Sequence, residues 1–169
     1  MKLSVVIPTY NRCGRLRKSL ETYLAESIED VEFIIVDNNS SDDTEVFIKE
    51  SQEKDHRIKY FKNPQNIGYN RNIFRGFLES KADWITILAD DDCMEFGYLS
   101  ELINIIESNN TCAIIMNALK HPKGDGEYKV VKSFNSTQTV AKGKDAIKCL
   151  FMSTGSVPGF TFNKNSISQ

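Results

Sequence analysis

The chain has 169 residues, 40% of them apolar and 26% charged, which fits one globular domain with a proper core. A net charge of −2 and a pI of about 5.7 supply no basic field for nucleic acid. Four cysteines without a Cys-x-x-Cys pair argue against a zinc site or a disulfide framework, and no apolar run approaches the ~18 residues of a membrane span.

The chain enters a strand pattern directly, Leu3 to Ile7, with no signal-peptide pattern, so a cytoplasmic location is expected. Pro8-Thr9-Tyr10-Asn11 forms a turn in which Asn11 is placed to cap a helix from Arg12 to Ala25. Leu16, Leu20, Tyr23 and Leu24 recur there at helical spacing. A second strand, Val31 to Val36, ends at Asp37. Ser41 or Asp42 then caps a helix reaching Glu53. Ile58 to Phe61 is a short third strand, the polar loop Asn63 to Gly68 follows, and a helix runs from Tyr69 to Ser80. The run Trp84-Ile85-Thr86-Ile87-Leu88-Ala89 reads as a buried strand stopped by Asp90-Asp91-Asp92. Beyond it come a helix from Phe96 to Ser108 and a strand from Cys112 to Met116. A turn at Gly124-Asp125-Gly126 precedes a strand from Tyr128 to Phe134. A loop at 136–139, a helix over 143–152 and a strand from Gly159 to Phe162 complete the pattern. Alternation of strand and helix predicts an α/β fold with a mainly parallel sheet, turning to α+β order after Leu119. His56 and His121 lie in polar surroundings and read as surface residues.

Three adjacent aspartates repel one another, and burial raises that cost, so a cation would relieve it. If the chain stays extended, Asp90 and Asp92 point one way and Asp91 the other. One or two carboxylates with open positions suit Mg²⁺ or Mn²⁺ shared with a phosphate. The alternative is a solvated acidic loop that caps the following helix. Parallel α/β sheets bind ligands beyond the carboxyl ends of their strands. Three such ends carry polar sequence here: Pro8 to Asn11, Asp37 to Ser40 and the aspartate triplet. Their convergence favours a pocket. Neither Gly-x-Gly-x-x-Gly after the first strand, nor Gly-x-x-x-x-Gly-Lys-Ser/Thr, nor Gly-x-Ser-x-Gly is present. What remains is a phosphate-bearing ligand held through a divalent ion.

Four stretches, in order and at the right spacing, then carry a resemblance. Val5 to Arg12, Ile34 to Thr44, Asn66 to Asn72 and Leu88 to Asp92 resemble the motifs of family 2 glycosyltransferases with the GT-A fold, a three-layer α/β/α sandwich. The match covers residues 3 to 105 and, more loosely, the rest. The resemblance implies transfer of a sugar from a nucleotide-diphosphate donor, a UDP-sugar first, to a glycan or lipid-linked acceptor in cell-surface polysaccharide synthesis. It also implies inversion at the anomeric carbon, a Mg²⁺ or Mn²⁺ cofactor and peripheral membrane association of a full-length protein. Pro8, Thr9 and Tyr10 would line the nucleotide pocket. Asp37 would accept from the base, and Asn70 or Arg71 would lie near base or phosphates. Asp90 would approach the ribose, Asp91 would ligate the metal, and Asp92 would touch the metal through water or the donor sugar. The family often writes Asp-Ser-Asp-Asp or Asp-Ala-Asp-Asp here, and this chain has Ala89 at the first Asp, which shifts the ligand role toward Asp91.

The family's inverting base usually lies in a Glu-Asp pair some tens of residues past the strand that Gly159 to Phe162 resembles. No acidic residue follows Asp145, so the base is expected beyond Gln169, with little transfer by these residues alone. Asp125 and Asp145 are the upstream alternatives. A non-catalytic nucleotide- or glycan-binding module and a metal-dependent phosphohydrolase are the competing classes.

Overall fold

The computed structural model describes residues 1–108, 114–116, 119–122, 128–132 and 160–167. In chain order these form β1 (Leu3–Thr9), α1 (Cys13–Tyr23), β2 (Val31–Asp37), α2 (Thr44–Lys54), β3 (Ile58–Lys62), α3 (Tyr69–Glu79), β4 (Trp84–Ile87) and α4 (Tyr98–Ser108). There follow β5 (Ile114–Met116), β6 (Leu119–Pro122), β7 (Tyr128–Lys132), β8 (Phe160–Asn163) and a single turn, α5 (Lys164–Ile167). The expected turn at 124–126, loop at 136–139 and helix at 143–152 lie outside the described residues.

One six-stranded sheet carries the order β3-β2-β1-β4-β8-β5. β1 to β4 run parallel, and β8 pairs antiparallel with both β4 and β5. β6 and β7 form a separate antiparallel pair. β1, β2 and β4 read as near-continuous apolar runs, broken by Ser4, Glu32 and Thr86, because both sheet faces are covered there. Leu3, Val5, Ile7, Phe33 and Ile35 pack with Leu16 and Leu20 of α1, Phe47 and Ile48 of α2, and Leu99, Leu102, Ile103 and Ile106 of α4. Alternate residues Val6, Ile34, Val36, Ile85 and Ile87 pack with Ile73 and Phe77 on the opposite face. Both of those belong to α3. The result is the expected three-layer α/β/α arrangement.

Several local expectations need correction. Asn11 does not cap α1. It sits at φ +51°, a geometry Asn tolerates, and its side-chain oxygen accepts the Ser41 N–H at 2.8 Å. The first helical N–H, that of Cys13, donates instead to Asp42 Oδ2 at 2.9 Å. Asp42 Oδ1 meanwhile accepts from the Thr44 hydroxyl and N–H, so one carboxylate serves the starts of both α1 and α2. β4 stops at Ile87, and the aspartate triplet follows in a turn rather than an extended strand. The alternation argument for its side chains therefore does not apply. α4 begins at Tyr98 rather than Phe96 because Gly97, at φ +94°, turns the chain just before it.

Glu26, buried beyond the end of α1, caps α4. Its Oε1 accepts the Leu99 N–H at 3.0 Å, and its Oε2 accepts the Ser100 N–H at 3.1 Å and hydroxyl at 2.5 Å. Burial pushes the carboxyl up, but the bonds from Ser100 and the backbone outweigh it, leaving the pKa below the ordinary value. The folded pKa thus lies below the unfolded one, so the stabilisation is full above the ordinary glutamate value of about 4.3 and fades as pH falls through the folded value. Glu26→Gln should cost about 0.5–2 kcal/mol at neutral pH, with the gap to wild type closing in acid. Urea denaturation at several pH values checks this, and a gap that stays constant into acid would exclude it.

Candidate functional site

β1 and β2 end side by side, with Thr9 paired to Asp37, and β4 ends next to β1. Leu88 prolongs that pairing by donating its N–H to the Val6 carbonyl at 3.0 Å. The acidic turn therefore lies at the carboxyl edge of the parallel strands. There the Thr9 hydroxyl donates to Asp90 Oδ2 at 2.8 Å. Arg12 Nη1 lies 3.1 Å from Asp90 Oδ1 and 3.3 Å from Asp91 Oδ2, and Arg15 Nη1 lies 2.9 Å from that same Asp91 oxygen. Asp90 is buried, and burial raises its carboxyl above the ordinary value while Thr9 and Arg12 pull it back.

α1 also fixes the backbone of the turn. The hydroxyl of Tyr23, whose side chain is fully buried, donates to the Ala89 carbonyl at 2.7 Å and reaches that of Asp92 at 3.2 Å. Thr22 Oγ1 accepts the Met94 N–H at 3.0 Å. The helix whose start carries the two arginines, Arg12 just before it and Arg15 in its first turn, thus holds the acidic turn with its last turn.

Asp37 does not lie at an exposed strand end, as its place before a polar loop suggests. It is 0% exposed, because the loop after β2 folds back over it. Oδ1 accepts the Ser40 N–H at 2.8 Å and Oδ2 accepts the Tyr60 hydroxyl at 2.7 Å. Burial, then the bond to Asp37, holds the Tyr60 phenol far above its ordinary pKa, so it stays a donor.

The remaining expected residues stand around this edge. Pro8 is buried and Tyr10 is 45% exposed rather than packed on α1. Asn70 and Arg71 are exposed in the first turn of α3. Burial, then the charges of Asp90 and Asp92, raise the phenol of their neighbour Tyr69 above its ordinary value, so that turn lies within electrostatic range of the triplet. Asp92 is half-buried. Asp125 and Asp145 lie outside the described residues.

Sequence reasoning missed the frame beneath α3. Asn38 Oδ1 accepts from the Asn63 amide and the Ile67 N–H, and the Asn38 amide donates to Asn66. Asn63 also donates to Asn72, whose own amide donates to the Val36 carbonyl at 2.8 Å. Gly68, at φ +84°, then turns the chain into α3. Amides in a polar loop look solvated in sequence. A hint was present in the asparagines at 38, 63, 66 and 72, of which 38, 63 and 72 are buried, since buried amides need reciprocal partners.

Among the described residues, no group of three or more His, Cys, Asp or Glu is placed to hold a metal ion. The donor set instead suits a hard ion that shares a ligand. It consists of carboxylate oxygens, with Asp91 35% exposed and only its Oδ2 engaged among the described residues. Arg12 and Arg15 supply the positive charge that faces this carboxylate. The residues thus fit Mg²⁺ or Mn²⁺ completed by phosphate oxygens.

A family model for glycosyl transferase family 2 matches residues 4–163. The chain belongs to glycosyl transferase family 2. This family 2 chain is 41% identical over 104 residues to the GalNAc(5)-diNAcBac-PP-undecaprenol beta-1,3-glucosyltransferase of Campylobacter jejuni subsp. jejuni, a match covering 60% of this chain and 33% of that protein. Among solved structures it resembles S. aureus TarS 1-349 in complex with UDP-GlcNAc, with a TM-score of 0.76, 18% identity, and coverage of 97% of this chain and 46% of that one. The mannosyltransferase PcManGT from Pyrobaculum calidifontis, in complex with GDP-Man and Mn²⁺, aligns with a TM-score of 0.62 and 16% identity over 69% of this chain and 35% of that one. The chain therefore spans about a third to a half of the length of these proteins. At such identities the structural likeness bears on the fold alone. No described helix is long and apolar enough to cross a membrane.

Proposed function

We propose that these residues form the donor-binding part of a glycosyltransferase that moves a sugar from a nucleoside diphosphate to a glycan or lipid-linked acceptor. The observation that carries the reading is the cluster of Thr9, Arg12, Asp90 and Asp91 at the carboxyl edge of the parallel strands. A lipid-linked acceptor is favoured by the undecaprenol-linked substrate in the name of the Campylobacter relative. It would bring the reaction to a membrane surface. A uridine nucleotide is the first candidate, on the fold likeness to the UDP-GlcNAc complex.

In this reading the backbone of Pro8, Thr9 and Tyr10 lines the nucleotide, and Asp90 receives the ribose. Asn70 and Arg71 face base or phosphates. Arg71 makes no ion pair among the described residues, so its charge is open to a phosphate. Asp91 ligates the divalent ion, with Asp92 beside it through water or toward the donor sugar. Such an ion, when bound, supplies positive charge to the departing diphosphate. The chain's own part is to hold the anomeric carbon toward the acceptor and exclude water. Inversion there needs a carboxylate that takes the acceptor proton, and its position is left to residues other than those described.

Asp37 reads the base, an imide N–H in uracil. Because the side chain is buried, this requires Tyr60 or the loop after Asp37 to give way. Asp37→Asn keeps the shape and the Ser40 bond while removing the charge. It should weaken nucleotide binding by about 1.5–3 kcal/mol with little change in melting temperature. An unchanged affinity in the folded variant would remove the base contact.

The reading as a whole is tested by thermal shift with nucleoside diphosphates, with and without Mn²⁺. Ligands that bind only the native state raise its stability by mass action. Stabilisation by UDP that grows with Mn²⁺ is expected. Stabilisation by none of the nucleotides would sink the reading, and phosphate release from simple esters would favour a phosphohydrolase.

A further inference from the structure

Two guanidiniums converge on one oxygen of Asp91. Arg15 Nη1 lies at 2.9 Å and Arg12 Nη1 at 3.3 Å, and Arg12 also touches Asp90 at 3.1 Å. Both arginines leave from the start of α1, Arg12 just before it and Arg15 in its first turn. Their side chains are 49% and 65% exposed, so neither is locked in place by packing. Ion pairs so exposed are weak and easily exchanged. The carboxylate they hold is the one assigned to the divalent ion above, and the inference rests on that assignment.

A divalent ion that joins the open Oδ1 of Asp91 stands close to the two guanidiniums on Oδ2, and the like charges repel until they are separated. A diphosphate resolves the conflict. It brings several negative oxygens to the same edge, and a planar guanidinium suits phosphate as well as it suits carboxylate.

We propose that Arg12 and Arg15 are built-in counter-cations of the acidic turn, which leave Asp91 for the donor's diphosphate when the divalent ion arrives. Metal and nucleotide are thereby coupled. Metal alone must displace the arginines and binds weakly. Nucleotide alone draws the arginines away but leaves Asp91 bare beside its phosphates. Together they exchange partners with no charge left unpaired. Linkage requires the coupling to be reciprocal.

The test uses Arg15→Gln, because the Arg15 guanidinium touches only Asp91 among the described residues, and the Arg12→Gln/Arg15→Gln double variant. Mn²⁺ binding is followed by electron paramagnetic resonance without nucleotide, and UDP binding by calorimetry with and without Mn²⁺. Two opposite changes are expected. Mn²⁺ alone should bind several-fold more tightly, and UDP in saturating Mn²⁺ should bind several-fold more weakly. The factor by which each ligand strengthens the other should shrink in both variants. Arg15→Lys keeps the charge and should recover part of the wild-type coupling. A merely structural role would weaken both ligands together, and that result overturns the proposal. So does unchanged Mn²⁺ affinity, or unchanged UDP affinity, in variants whose melting curves match wild type. If wild type itself binds no UDP in Mn²⁺, the donor-site reading fails first and the proposal falls with it. If wild type binds UDP and the variants behave alike, only the proposal fails.

Discussion

Asp91→Asn abolishes the gain that Mn²⁺ or Mg²⁺ gives to nucleoside diphosphate binding. Asp91 is the exposed carboxylate of the acidic turn, with an oxygen that no described residue engages. Asp90 is the poorer replacement, because its side chain is buried and the Thr9 hydroxyl donates to its Oδ2. Loss of even an outer partner of a metal ligand costs about 10–100-fold in metal affinity, and loss of a ligand should cost at least that. The change breaks two ion pairs, but exposed pairs are worth only about 0–1 kcal/mol, so the fold survives. Calorimetry in chelator and in Mn²⁺ measures the gain directly. Equal affinity under both conditions in the wild type would dismiss the metal, and an undiminished gain in the variant would move it away from Asp91.

Gly76→Ala destabilises the chain and weakens nucleotide binding together. α3 crosses the sheet here so closely that an added Cβ would lie 2.3 Å from Val6 Cγ1 and 3.3 Å from Val36 Cγ2. Both valines are buried, on neighbouring strands, and their branched side chains have little rotamer freedom. The helix must lift. Overpacking of this kind costs about 1–3 kcal/mol, and the gain of about 1 kcal/mol from alanine's helix preference offsets only part of it. A lifted α3 carries Tyr69, Asn70 and Arg71 away from the acidic turn. Gly14→Ala is the control, since a Cβ there meets nothing within 4 Å. It should be neutral or slightly stabilising in urea denaturation. Equal stability of the two variants would contradict the close crossing.

The layers of the fold were legible because the strands are buried on both faces. Val31 to Val36 and Trp84 to Ile87 read as apolar runs broken only by Glu32 and Thr86, and Leu99, Leu102, Ile103 and Ile106 mark one face of a helix. The edge where the site lies was legible too, since β1, β2 and β4 each run into polar sequence there. What joins across that edge was not. Arg12 and Asp91 are 79 residues apart, and no local pattern pairs them. Asn11 carries the signature of a helix cap, but its left-handed backbone turns it toward Ser41, and Asp42 takes over from the far side of the loop. Asp37 looked open because polar sequence follows it. Its burial depends on Tyr60, a strand away, and on a loop that folds back. Contacts of this kind are set by packing between elements, which local propensity does not encode.

The central claim is that a nucleoside diphosphate binds at the carboxyl edge of the parallel strands. Backbone hydrogen exchange, read by mass spectrometry with saturating UDP and Mn²⁺, tests it most directly. The account predicts added protection in the segments around residues 8–12, 37–41, 66–72 and 89–93, with little change elsewhere among the described residues. At the opposite edge, Ser27, Glu29, Lys54, Asp55, His56 and Arg57 line a polar cleft of about 190 Å³. Protection centred on that cleft, with the four segments unchanged while calorimetry reports bound UDP, would contradict the account.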